Sequence, residues 1–95
     1  MILGYLRVRL RLRQARTLKD KRQVVKSIKD KLANGFNVSI AEVDDLDDRQ
    51  LATLGLAMVS NETHHLKVAL GQVVEALRSH PIAEFLEHEL DTIPV

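Results

Sequence analysis

Cysteine and tryptophan are absent from these 95 residues, and only three aromatic rings occur: Tyr5, Phe36 and Phe85. Without thiols there is no disulfide framework, thiolate metal site or catalytic cysteine, and redox chemistry by the chain's own side chains is excluded. So few rings leave little for stacking unpaired bases. Four scattered glycines and two prolines form no glycine-rich phosphate loop and no nucleophile elbow. No apolar run approaches the roughly 20 residues of a membrane span. The opening Met1–Leu6 has no basic region before it and meets Arg7 too soon for a signal peptide, so a soluble, cytoplasmic chain without a membrane partner is expected. The length suits one domain, residues 1–95, able to bury a single modest core.

What the chain does have is charge, unevenly ordered. Residues 1–35 carry eleven Lys/Arg against two acids, and residues 36–95 carry three against eleven, so a formal net charge of +1 hides halves of +9 and −8. In so short a chain the halves interleave in space, and mutual neutralisation competes with a nucleic-acid-binding end as the explanation. The sharpest instance is Leu6-Arg7-Val8-Arg9-Leu10-Arg11-Leu12-Arg13, whose period of two puts every guanidinium on one side of a strand and every aliphatic group on the other.

Thr17 and Asp20 then supply a helix start, and Leu18, Val24, Val25, Ile28 and Leu32 share one helical arc up to Asn34-Gly35, where the glycine suits a left-handed cap. Phe36–Val43 alternates as a second strand that ends at the acidic loop Asp44–Asp48. The uncharged Thr53–Val59 reads as an interior strand. Ser60-Asn61 offers caps for a second helix, with Leu66, Ala69, Leu70, Val73, Ala76 and Leu77 on one arc, stopping at Ser79-His80-Pro81. Ala83–Asp91 alternates as a last strand.

Strand, helix, strand, strand, helix, strand is the ferredoxin-like plan: an α+β domain with a four-stranded antiparallel sheet and both helices on one face. Right-handed crossovers make strands one and three central, with strand four beside strand one. On the uncovered face Glu87, Glu89 and Asp91 are expected beside Arg11, Arg9 and Arg7, together with Tyr5, Phe85, Gly55, Ala57 and Val59.

Thr17-Leu18-Lys19-Asp20-Lys21-Arg22, then Phe36–Val43, then Leu54-Gly55-Leu56-Ala57-Met58-Val59-Ser60-Asn61 resemble the YlxP-like family of small uncharacterised bacterial proteins in spacing and order over nearly the whole chain. The resemblance implies a ferredoxin-like fold in a bacterial cytoplasmic protein. It also implies genes near those for translation initiation and ribosome maturation, ribosome-binding factor A among them. It brings no assigned activity. Relatives often carry an aromatic residue in the loop before strand three, where this chain has Arg49.

Three constellations are candidates for function. Lys21 lies in the apolar arc of the first helix and Glu42 has inward parity on the second strand, so the two can meet at the core's rim, as a structural ion pair or as an acid/base pair. No nucleophile or metal ligand accompanies them, and a non-catalytic protein is expected. Lys19, Arg22, Lys26 and Lys29 form a positive stripe which, with Arg13 and Arg16, can follow an RNA backbone, or else is simply a solvated face. Arg7, Arg9 and Arg11 beside Glu87 and Glu89 can meet their own image in a homodimer. Adjacent His64-His65, with His80 and His88 elsewhere, lacks metal-ligand spacing, and the acidic loop lacks the EF-hand pattern. The expectation is an accessory factor contacting RNA or a ribosomal subunit, with self-association as the alternative and no cofactor, metal or small-molecule substrate.

Overall fold

Alternation in β1 (Ile2–Arg11) decides which side of the sheet becomes core: Gly4, Leu6, Val8 and Leu10 are buried, while Arg7 is exposed and Tyr5, Arg9 and Arg11 are half-buried. A computed structural model describes residues 1–95. In it β1 is followed by α1 (Leu18–Gly35), β2 (Ser39–Asp44), β3 (Leu51–Ser60), α2 (Thr63–Arg78) and β4 (Glu84–Pro94). One antiparallel sheet has the order β2-β3-β1-β4, so the expected central strands and the ferredoxin-like α+β arrangement are what the chain adopts. Val25, Ile28 and Leu32 of α1 and Leu66, Leu70, Val73, Val74 and Leu77 of α2 pack with the inward residues of β1 and β3 in one core. α1 lies over β2, and α2 over β1, β3 and β4.

The start of α1 is the capping box read from Thr17 and Asp20. Thr17 Oγ1 accepts from the Asp20 amide at 3.1 Å, and Asp20 Oδ2 accepts from the Arg16 and Thr17 amides at 3.0 and 3.2 Å. Those bonds, the Arg16 amide's foremost, hold the Asp20 carboxyl below its ordinary value. The end differs from expectation. No glycine has positive φ, Gly35 is the last helical residue, and extended Phe36 closes the helix by donating its N–H to Leu32 O at 2.8 Å while its ring packs on the core. At α2, Ser60 ends β3 instead of capping the helix, and Glu62 occupies the cap position without a side-chain bond.

The expected pairing of Arg7, Arg9 and Arg11 with Asp91, Glu89 and Glu87 is displaced: Arg7 and Arg9 meet Glu89 and Glu87, a shift of two, and Arg11, past a bulge, meets Glu84, a shift of three. β1 starts at Ile2 rather than Leu6, and β4 runs on to Pro94 to meet it. A slip of two preserves which face each side chain occupies, so alternation cannot tell the two registers apart. A bulge between Arg9 and Leu10 leaves Leu86 unpaired and reverses the parity beyond it. Phe85 therefore stands opposite Leu10 and packs against the core, with Arg78 4.4 Å above its ring, and does not share the open face with Tyr5.

Gly4 leaves room for side chains of α2 on β1: a Cβ there would lie 2.9 Å from Leu70 Cδ1 and 3.4 Å from both Leu66 Cδ atoms. Gly4→Val is expected to cost about 1–3 kcal/mol through overpacking, read from the urea midpoint. An unchanged midpoint would show that α2 rides over β1 more loosely than these distances say.

Candidate nucleic-acid interface and the charged sheet face

A lysine with no exposed surface organises one end of the molecule. Lys21 Nζ donates to Asp45 O at 2.8 Å, Leu51 O at 3.1 Å and Leu46 O at 3.3 Å. An ammonium has three protons, and three carbonyls can take them. Glu42 Oε2, 2.9 Å away, is the counter-charge outside hydrogen-bond geometry and makes no hydrogen bond of its own. The sequence brought Lys21 and Glu42 together correctly; it missed the carbonyls, which depend on the turn that follows β2.

That turn is built rather than merely solvated. A bulge between Glu42 and Asp44 ends regular pairing, and Asp45 takes φ 57°, a left-handed conformation that aspartate tolerates better than most residues. Asp48 Oδ1 accepts from the Gln50 and Leu51 amides at 2.8 Å each, which with the Leu51 bond leading holds its carboxyl below the ordinary value. Asp45 Oδ2 accepts from Thr53 Oγ1 at 2.6 Å, which explains how an outward threonine is wholly buried. Gln50 ties the turn to the β1–α1 connection by donating to Arg13 O at 3.2 Å and Ala15 O at 3.4 Å.

The turn also reaches over the open sheet face. Arg7 pairs with Asp44 at 3.1 Å, and Arg9 with Glu87 at 3.3 Å and Asp45 at 3.6 Å. Glu89 accepts from the Tyr5 hydroxyl at 3.3 Å. Arg13 Nε donates to Glu84 at 2.8 Å, which lowers the Glu84 carboxyl pKa, and Arg11 has no ion-pair partner. Of seven ion pairs, five join a base from residues 1–35 to an acid from residues 36–95, and all of these but the buried Lys21–Glu42 pair lie on this face, where the two halves of the charge pattern do neutralise each other.

The α1 stripe is different. Arg16, Lys19, Arg22 and Lys29 have no carboxylate at ion-pair distance, while Lys26 holds Asp30 at 3.0 Å within the helix. Lys31 lines the gap to α2 with Ala76, Leu77 and His80. Lys29 lies about 200° round the helix from it, so Arg22 and Lys29 occupy the flank away from α2, along the free edge of β2. At the near end Arg16 shares a shallow cleft with Arg49, Asp47 and Asp48, so acids dilute its charge, and Arg13 is tied to Glu84. Arg49 was noted from sequence only as a departure from relatives, and Glu84 was not singled out; parity along β4 beyond Leu86 is what hid Glu84. The four histidines stay on separate elements or, at His64-His65, side by side at the exposed start of α2. No helix is long and apolar enough to cross a membrane.

Comparison with known proteins gives a family and no chemistry. The family described as "Protein of unknown function (DUF503)" matches residues 3–90. The uncharacterized protein YlxP of Bacillus subtilis is 37% identical over 70 residues, covering 74% of this chain and 76% of that one.

Two outcomes test the turn. Lys21→Met strands a nearly buried carboxylate and three carbonyls and is expected to cost roughly 3–5 kcal/mol by chemical denaturation; adding Glu42→Leu restores only part, because the carbonyls still lack a donor. A neutral Lys21→Met would refute the arrangement. For Asp48 the folded pKa lies below the ordinary 3.8. Its stabilisation is therefore complete above that value and lost as pH falls through the folded value. Asp48→Asn should lower the urea midpoint near neutrality and converge with the parent at acid pH, and parallel curves between about pH 6 and pH 2 would contradict this.

Proposed function

The chain belongs to the DUF503 family of proteins of unknown function, and from that footing we propose that it is a non-catalytic accessory factor that holds RNA, free or in a ribosomal subunit, through phosphate contacts along α1. The observation that carries this reading is the contrast between two arginine- and lysine-rich surfaces. On the open face most of the cations are engaged by carboxylates, whereas Lys19, Arg22 and Lys29 on α1 are not. Unpaired cations in a row release counterions from a polyanion without first giving up an internal partner.

Of the six residues that the sequence nominates, Lys19, Arg22 and Lys29 form the centre of the contact. Arg16 is diluted by Asp47 and Asp48, Lys26 must share its ammonium with Asp30, and Arg13 must leave Glu84. Recognition is of backbone rather than base, since Phe36 and Phe85 pack on the core and Tyr5 lies on the opposite, acid-rich face. The ribosome enters through the resemblance to YlxP-like proteins. A non-catalytic role is supported by Lys21: an ammonium whose protons are directed at three carbonyls is poorly placed to serve as an acid or base.

Co-sedimentation with ribosomal subunits and with RNA across a salt series tests the proposal. With about four cations engaged, log affinity should fall against log salt with a slope of about −3, and Arg22→Glu combined with Lys29→Glu should weaken binding and remove about half of that slope. Arg13→Ala should matter less than either substitution. Binding that the double substitution leaves intact at low salt would take the surface away from this reading.

A further inference from the structure

The open sheet face, on the other side of the molecule from α1, is divided along its length. At one end Leu3 stands between Val59 and Ile93, 61% and 42% exposed. Moving along the strands, the next rows are Tyr5 beside Asp91, Arg7 beside Glu89, Arg9 beside Glu87 and Arg11 beside Glu84. Every basic residue is on β1 and its acidic neighbour is on β4. This pattern has a symmetry of its own. Rotation by 180° about an axis parallel to the strands keeps each row at its place along the axis and exchanges the two strands.

We propose that a second copy of this chain covers the open face, related by a two-fold axis that runs along the strands between β1 and β4. Arg7 then lies across from the partner's Glu89, Arg9 from the partner's Glu87 and Arg11 from the partner's Glu84, each contact occurring twice, while Leu3 meets the partner's Ile93. Facing sheets pack about 10 Å apart, a gap that arginine and glutamate side chains can span together. The pairs already formed leave room for this: Arg9 and Glu87 keep 37% and 65% of their side chains exposed, and Arg7 keeps 50%.

Charge also selects this axis over its neighbour. An axis between β3 and β1 would overlap all four strands but set the acids of β4 against β2, which ends in Asp44, and leave the arginines facing Gly55 and Thr53. Like charges brought together oppose association. The favoured axis overlaps two strands over ten residues, a footprint of roughly 10 by 33 Å. With side chains interdigitated this buries on the order of 1,000 Å² in total, near the lower limit of specific interfaces, so the dimer dissociates on dilution.

Arg7 and Glu89 occupy the middle row, where a twist between the sheets displaces contacts least, and they provide the test. Sedimentation equilibrium of the whole chain over a dilution series should show a monomer–dimer equilibrium. Arg7→Glu and Glu89→Arg, each alone, should raise its dissociation constant roughly ten-fold or more, because each sets like charges against each other twice. Mixed in equal amounts, the two variants should recover the affinity. In the mixed dimer the glutamate introduced at position 7 of one chain faces the arginine introduced at position 89 of the other, and the second contact is the original pairing of Arg7 with Glu89. The intramolecular row stays mismatched in both chains, so recovery can come only from contacts between copies. Ile93→Asp should weaken the dimer, and Arg22→Glu on α1 should leave it unchanged, which separates this interface from RNA binding. A wild-type chain that stays monomeric at millimolar concentration overturns the proposal, as does a mixture no tighter than its components. Melting curves of both variants check that each is folded.

Discussion

The placement of one ammonium group underlies both surfaces of this protein. Lys21 is carried by α1 and buried at the end of the sheet, where it gathers the carbonyls of Asp45, Leu46 and Leu51 against the carboxylate of Glu42. Burying a charge is costly unless it is paired and hydrogen-bonded, and here the compensating carbonyls come from the turn and the start of β3. The same contact fixes how α1 lies across β2 and how the acidic turn folds back over β3. The unpaired basic flank and the paired sheet face therefore share one anchor.

From that anchor follows an unequal distribution of free charge. Asp44 and Asp45 are held where they meet Arg7 and Arg9, and β4 supplies Glu84 and Glu87 from the other side. The most arginine-rich segment of the chain is thus less available than its composition suggests. Availability falls instead to α1, where the flank beyond β2 has no neighbouring strand or helix to bring carboxylates to it. Exposed pairs are individually worth only about 0–1 kcal/mol, so their main consequence is to decide which cations remain free.

Two single-residue irregularities account for most of what the pattern of residues left unread. In β2 Val43 already has open-face parity, its Cγ1 2.8 Å from the position a Cβ on Gly55 would occupy, and the bulge after Glu42 leaves it unpaired and turns Asp44 outward, opposite Thr53. In β4 the bulge at Leu86 turns Phe85 inward and brings Glu84 level with Arg11. Each inserts one residue into a period of two, and no local feature of Val43 or Leu86 announces it. The Arg–Glu rows were legible as rows, but their register was not, because a slip of two conserves the faces.

Element order, the inward faces of β1, β3 and both helices, the start of α1 and the meeting of Lys21 with Glu42 were determined by the sequence alone, since hydrophobic period, capping chemistry and crossover handedness are local or nearly local properties. Tertiary structure alone decided which cations keep a carboxylate and which face the solvent unpaired. That outcome depends on register, bulges and the course of one turn, and these are set by contacts between residues far apart in the chain.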